Sequence, residues 1–107
     1  MSALDPFVPP APTRRVVDAP RRSRVVLHGL VLDQHDVNWA GGPVLEVTLS
    51  DRTGDVCLAF LGRRRIAGIE PGRGLTVAGT VGSRHGCAVL VNPLYWLHAP
   101  RPEVADA

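Results

Sequence analysis

All twelve basic residues of this 107-residue chain are arginines; there is no lysine. Arg63, Arg64 and Arg65 form one block, Arg52 sits in a polar turn, Arg84 in a glycine-bounded loop, and Arg21, Arg22 and Arg24 precede an apolar run. Each guanidinium is a planar fork that matches phosphate oxygens and stacks on flat rings. A rim of such forks binds a nucleic-acid backbone by displacing its counterions. Single strands need a second element, an aromatic platform, worth about 1–3 kcal/mol per base. The candidates are Trp39, Phe60, Tyr95 and Trp96. Trp39 stands out because its surroundings, DQHDVNWAGG, are polar and glycine-rich. A tryptophan there either stacks on a base or closes the end of a barrel. Thr48 adds a hydroxyl on the polar side of a strand, beside Glu46 and Ser50. Glu46 repels phosphate, which counts against a strong backbone-tracking groove unless it accepts a hydrogen bond from a base. A GC-rich coding bias also produces an all-arginine basic set, and runs of surface charge commonly serve solvation alone.

Catalytic chemistry finds no comparable set. His28, His35, His85 and His98 fall in different segments, and Cys57 and Cys87 stand far apart with no Cys-x-x-Cys or His-x-x-x-His spacing, so a zinc site is not expected. Asp33, His35 and Asp36 have the composition of a solvated turn. Ser50-Asp51 reads as turn capping before it reads as a catalytic pair. Gly72-x-Gly74 lacks the Gly-Lys-Ser/Thr of a phosphate loop. The reading is a protein that is not an enzyme and carries no cofactor and no metal. The two cysteines are expected as reduced thiols in apolar strands.

The elements that must position these residues follow from period-two alternation. In PVLEVTLSDRTGDVCLAFLGRRR, Leu45, Val47 and Leu49 alternate with Glu46, Thr48 and Ser50, and Val56, Leu58 and Phe60 alternate with Asp55, Cys57 and Ala59. Asp51-Arg52-Thr53-Gly54 is the turn between them. Five strands are predicted: Arg24–Leu32, Pro43–Ser50, Asp55–Leu61, Leu75–Val81 and Cys87–Val91. Gly29 marks a bulge or bend in the first. Asp33–Gly42 is expected as a loop, Arg63–Ile69 as one short helical turn, and Gly82–Gly86 as a hairpin loop. Asn92-Pro93 ends the fifth strand, and Tyr95 and Trp96 are expected to cover one barrel end. This gives an all-β fold, a five-stranded Greek-key OB-fold barrel with a short helical turn between strands 3 and 4. A small SH3-like barrel or open sandwich is the alternative.

The sequence resembles nucleic-acid-binding OB domains over about residues 24–95. The resemblance is carried by Val26-x-x-Gly29-x-Val31, by LEVTLSDRTGDVCLAFLG and by GIEPGRGLTVAGTV. Similar runs occur in the wedge domain of RecG-type helicases and in anticodon-type OB modules, and the chain looks most like small stand-alone OB-fold proteins of actinobacteria. The resemblance implies a nucleic-acid partner, single-stranded or branched, met by the second and third strands and their loops. Trp39, Thr48, Arg52, Arg63, Arg64, Arg65 and Arg84 are the residues expected there. The chain departs from the pattern in having few aromatics on those strands. The other class of function is a protein-interaction or self-assembly barrel, with Cys57, Ala59 and Leu61 as a smooth contact face.

Five of the ten prolines (Pro6, Pro9, Pro10, Pro12 and Pro20) lie in residues 1–20, expected as a flexible arm. Residues 21–98 form the folded domain, and 99–107 a disordered tail. No apolar run approaches the roughly 20 residues that span a bilayer, and prolines interrupt the N-terminus where a signal peptide would be apolar. The expectation is a cytoplasmic protein without a membrane partner. The formal charge of +2 is too small to name a partner by itself.

Overall fold

The computed structural model describes residues 8–99. Residues 1–7 of the arm and 100–107 of the tail lie outside the described residues. One 3-10 turn, Val16–Asp18, precedes six strands: β1 Arg24–Trp39, β2 Gly42–Ser50, β3 Asp55–Leu61, β4 Gly74–Arg84, β5 Cys87–Val91 and β6 Leu94–Leu97. Alternation sets one face of each strand inward. Val25, Leu27 and Val31 of β1, Leu45, Val47 and Leu49 of β2, and Val56, Leu58 and Phe60 of β3 join Leu75, Val77, Val81 and Leu90 in one core. Burying each such side chain contributes about 1.5–3 kcal/mol. Hydrogen-bonded neighbours run β1-β2-β3-β5-β4, and β4 pairs back to β1, so the five strands close into a ring. All pairings are antiparallel except β3 with β5, which are parallel over Cys57–Ala59 and Val89–Val91.

Closure depends on β1 serving two neighbours. Arg24–Leu30 pairs with β4, and Leu30–Trp39 pairs with β2. Gly29 lies at the changeover, where a Cβ would stand 2.4 Å from the Ser50 carbonyl oxygen. No side chain fits so close to a backbone, which is why glycine is required there. The register of β1 against β2 then shifts between Val31 and Asp33, a bulge just beyond the bend that Gly29 announced.

Four segments depart from the sequence expectation. Asp33–Trp39 is not a loop: β1 continues through it, and Trp39 pairs with Gly42 across the Ala40–Gly41 turn. Its polarity hid the strand, because this end of the hairpin runs beyond β4 and its side chains stay wet. The β3–β4 linker holds no helical turn. It is a series of turns with one Ile69 N–H to Ile66 carbonyl bond at 3.1 Å, and Gly68 at φ 88 stops any propagation. Ile66 and Ile69 are buried, so the linker is tied down by its apolar residues instead. The predicted hairpin loop shrinks to His85-Gly86, and Arg84 becomes the last residue of β4. Finally, Leu94–Leu97 adds a strand against Leu75–Ala78 of β4, with Tyr95 meeting Phe60 edge-on at 5.6 Å.

The described part of the arm is anchored at several points. Thr13 N–H donates to the Val26 carbonyl at 2.9 Å, Val16 N–H to Asp51 Oδ2 at 2.8 Å, and Val17 N–H to the Thr53 hydroxyl at 3.1 Å. Val16 enters the core beside the β2–β3 turn. Burial alone would raise the Asp51 pKa, but bonds from the Thr53 hydroxyl and from backbone N–H groups hold it below the ordinary value.

Candidate functional site

Directly paired residues share a sheet face, so the register defines what lies outside the ring beside β2. Val44, Glu46 and Thr48 of β2 alternate with its core residues. They bring Val37 and His35 of β1, and Leu61, Ala59 and Cys57 of β3, onto the same outer face. β5 adds Val89 and Val91. Val44, Ala59 and Val89 form a second small apolar cluster, and Val37, Trp39 and Cys57 pack against it. The outer face therefore carries its own apolar floor, and the half-buried Trp39 rests on it.

Three charged or aromatic groups meet there. Trp39 Nε1–H donates to Glu46 Oε2 at 2.8 Å, and the Arg84 guanidinium carbon lies 3.8 Å from the centre of the indole ring. The β4–β5 hairpin delivers Arg84: it pairs with Cys87 across His85 (φ 52) and Gly86 (φ 80), a two-residue turn whose positive φ angles suit the strand twist. A cation over a partly exposed indole contributes about 0.5–1 kcal/mol. With the apolar cluster beneath Trp39 and Arg84 over its ring, the guanidinium plane is itself a stacking surface.

Two depressions flank this stack. One, of about 260 Å³, is lined by His35, Glu46, Thr48, Cys57, Arg84, His85, Cys87 and Val89. The other, of about 170 Å³, is a more apolar slot between Trp39, Pro43, Val44 and Leu61, with Gly41, Gly42 and Gly62 at its sides. A larger crevice of about 710 Å³ lies among Pro12–Pro20 of the arm and contains no residue of this face. Cys57 and Cys87 are both free thiols. Burial pushes the Cys57 thiol up to about 11, with Glu46 and Cys87 adding to the effect, so it stays protonated and is not a nucleophile at neutral pH. Among the described residues no three His, Cys, Asp or Glu side chains are grouped to hold a metal ion.

The residues expected from sequence are thus divided. Trp39, Arg84 and Thr48 come together on one face. Arg63, Arg64 and Arg65 follow Gly62 at the apolar slot, and all three are exposed. Arg64 is drawn elsewhere: it pairs with Asp36 at 3.0 Å, and Asp36 lies opposite Leu45, on the other side of the hairpin from Trp39. Arg52, at φ 79, occupies the β2–β3 turn, the other end of β2 from the Trp39 hairpin. Phe60 is core, as its parity with Val56 and Leu58 indicates. His35, expected in a solvated turn because the strand carrying it reads as loop, and Cys87, expected as a thiol in an apolar strand, also line the groove.

A second polar cluster lies on the outside of β1, β4 and β6. His28 and His98 stack with ring centroids 4.5 Å apart. Buried Thr76 Oγ1 contacts His28 Nδ1 at 3.3 Å and His98 Nε2 at 2.7 Å. Arg73 Nε donates to the His98 carbonyl at 2.7 Å. Burial, then the neighbouring His28 and Arg73, lowers the His98 pKa below 6.5. No protein-family model matches this chain, and no curated protein matches it in sequence.

Proposed function

We propose that the closed five-stranded ring is an OB-type barrel that binds single-stranded or branched nucleic acid, without catalysis, on the outer face of β2 and β3. The strand order, with parallel β3 and β5 and with β1 shared between two neighbours, is the arrangement this reading needs. OB barrels bind ligands on that face and with the β1–β2 and β4–β5 loops. The observation that carries the reading is the Arg84–Trp39 stack: a residue from each of those hairpins meets over β2 at 3.8 Å. Arg63 and Arg65, exposed and without an ion pair among the described residues, supply phosphate contacts next to the apolar slot. Fluorescence anisotropy with a labelled oligonucleotide tests it. Binding at micromolar protein that weakens with added salt is expected. Absence of binding, or binding indifferent to salt, overturns it.

A second reading has its own observation. Leu61 and Val91 of this face are 43% and 45% exposed, and Leu94 of β6, 60% exposed, lines a depression together with Val91. Such side chains suit a protein contact or self-association. Light scattering that gives a strict monomer at high concentration counts against self-association.

A further inference from the structure

Glu46 is an odd residue for a surface that meets phosphate. Its position restricts what it can do. One carboxylate oxygen accepts the indole N–H of Trp39 at 2.8 Å, which fixes the orientation of the group. The other oxygen has no hydrogen bond among the described residues, and Glu46 lines the depression of about 260 Å³ together with Thr48 and Arg84. The floor beside it is formed by Val89, 5% exposed, and the half-buried Cys57. An oriented acceptor, a hydroxyl and a donor fork around an apolar floor describe a pocket for the edge of a flat heterocycle.

We propose that Glu46 is a specificity-determining residue that selects nucleobases carrying an exocyclic amino group over thymine or uracil. The proposal rests on the nucleic-acid reading above and deepens it. Cytosine offers an N4 amino donor to the free Glu46 oxygen, and carboxylates accept from that group. Thymine places its O4 lone pairs at the same position, where they oppose the carboxylate. Because Trp39 and Arg84 hold the carboxylate and the stacking surface in place, a thymine cannot escape the clash by turning the side chain away at no cost. Arg84 also offsets the charge of Glu46 near the backbone, so the acid is tolerated on a face that binds polyanions.

The test compares short labelled oligo(dC) and oligo(dT) of equal length, at equal salt and neutral pH, on the unaltered chain and on Glu46→Gln. Flexible oligo(dT) is often favoured where only stacking and backbone contacts act. The expected result is the reverse: oligo(dC) binds about tenfold tighter. Glu46→Gln keeps an amide oxygen for Trp39 and offers an N–H to thymine, so it should erase the preference. Equal affinity of the unaltered chain for both oligomers overturns the proposal while leaving nucleic-acid binding intact. A preference that survives in Glu46→Gln, with circular dichroism unchanged, overturns the role of Glu46. No binding to either oligomer overturns the underlying reading and this proposal with it.

Discussion

The ring carries a polar cluster on each of two outer faces, and they use their hydrogen-bonding capacity in opposite ways. Around His28, Thr76 and His98 one nitrogen of each imidazole is tied to the Thr76 hydroxyl within the chain. Thr76 has one hydroxyl proton, so it donates to one imidazole and accepts from the other. Arg73 is likewise spent, on the His98 and Gly68 carbonyls. Around Trp39 the capacity is left over: among the described residues Arg84 lies on a ring without an ion pair, and one Glu46 oxygen has no hydrogen bond. The first cluster pins the chain leaving β6 against β4 and β1. The second presents an oriented donor and acceptor to whatever enters the groove. The two clusters thus differ in how far their polar groups are tied to one another.

The strongest way to break this comparison is at the strand both faces share. Gly29→Ala forces a Cβ into the Ser50 carbonyl where β1 passes from β4 to β2. A loss of about 2–3 kcal/mol in chemical denaturation is expected, the upper range for overpacking. A variant as stable as the parent would mean that β1 can shift away from β2 without cost. Next in size, Arg84→Ala should weaken oligonucleotide binding about tenfold by removing the stacking fork. The salt slope should change little, since the phosphate contacts are assigned to Arg63 and Arg65. Stability should fall by only about 0.5–1 kcal/mol, the contact with the Trp39 ring, since the hairpin turn does not depend on that side chain.

The His28 face predicts a pH effect with a definite sign. His98 has its folded pKa lowered below 6.5, so the unfolded chain binds the proton more readily. The stabilisation is present above 6.5 and is lost as pH falls from there through the folded value. Denaturation midpoints measured downward from neutral pH should fall, and His98→Gln should flatten that part of the profile. His98→Gln should leave oligonucleotide affinity unchanged, because no residue of this cluster lines the Trp39 groove. The smallest effect is expected from Arg64→Ala. Its exposed pair with Asp36 should contribute under about 1 kcal/mol. A larger loss would show that this pair holds the linker to the hairpin.

Much of the fold was legible because it is local. Period-two alternation located β2 and β3 to within a residue, the Asp51–Gly54 turn between them, and the bend at Gly29. The site was legible only in part. Trp39 and Arg84 could be nominated as an aromatic and a cation near the right loops, but not as a pair. The β6 strand was missed because Leu94–Leu97 is too short to reveal its partner. The strand character of Asp33–Trp39 was missed because that length of hairpin needs no apolar alternation.

The sequence by itself determined which residues face inward, where the chain bends, and that its positive charge is delivered by planar forks. Those features depend on side-chain chemistry and on neighbours within a few positions. Only the tertiary structure decided that Arg84 covers Trp39, that Glu46 holds the indole N–H, and that Arg64 of the β3–β4 linker is spent on Asp36 of β1. Each of those contacts joins segments whose relative position is set by ring closure and strand register, and neither is encoded in any one segment.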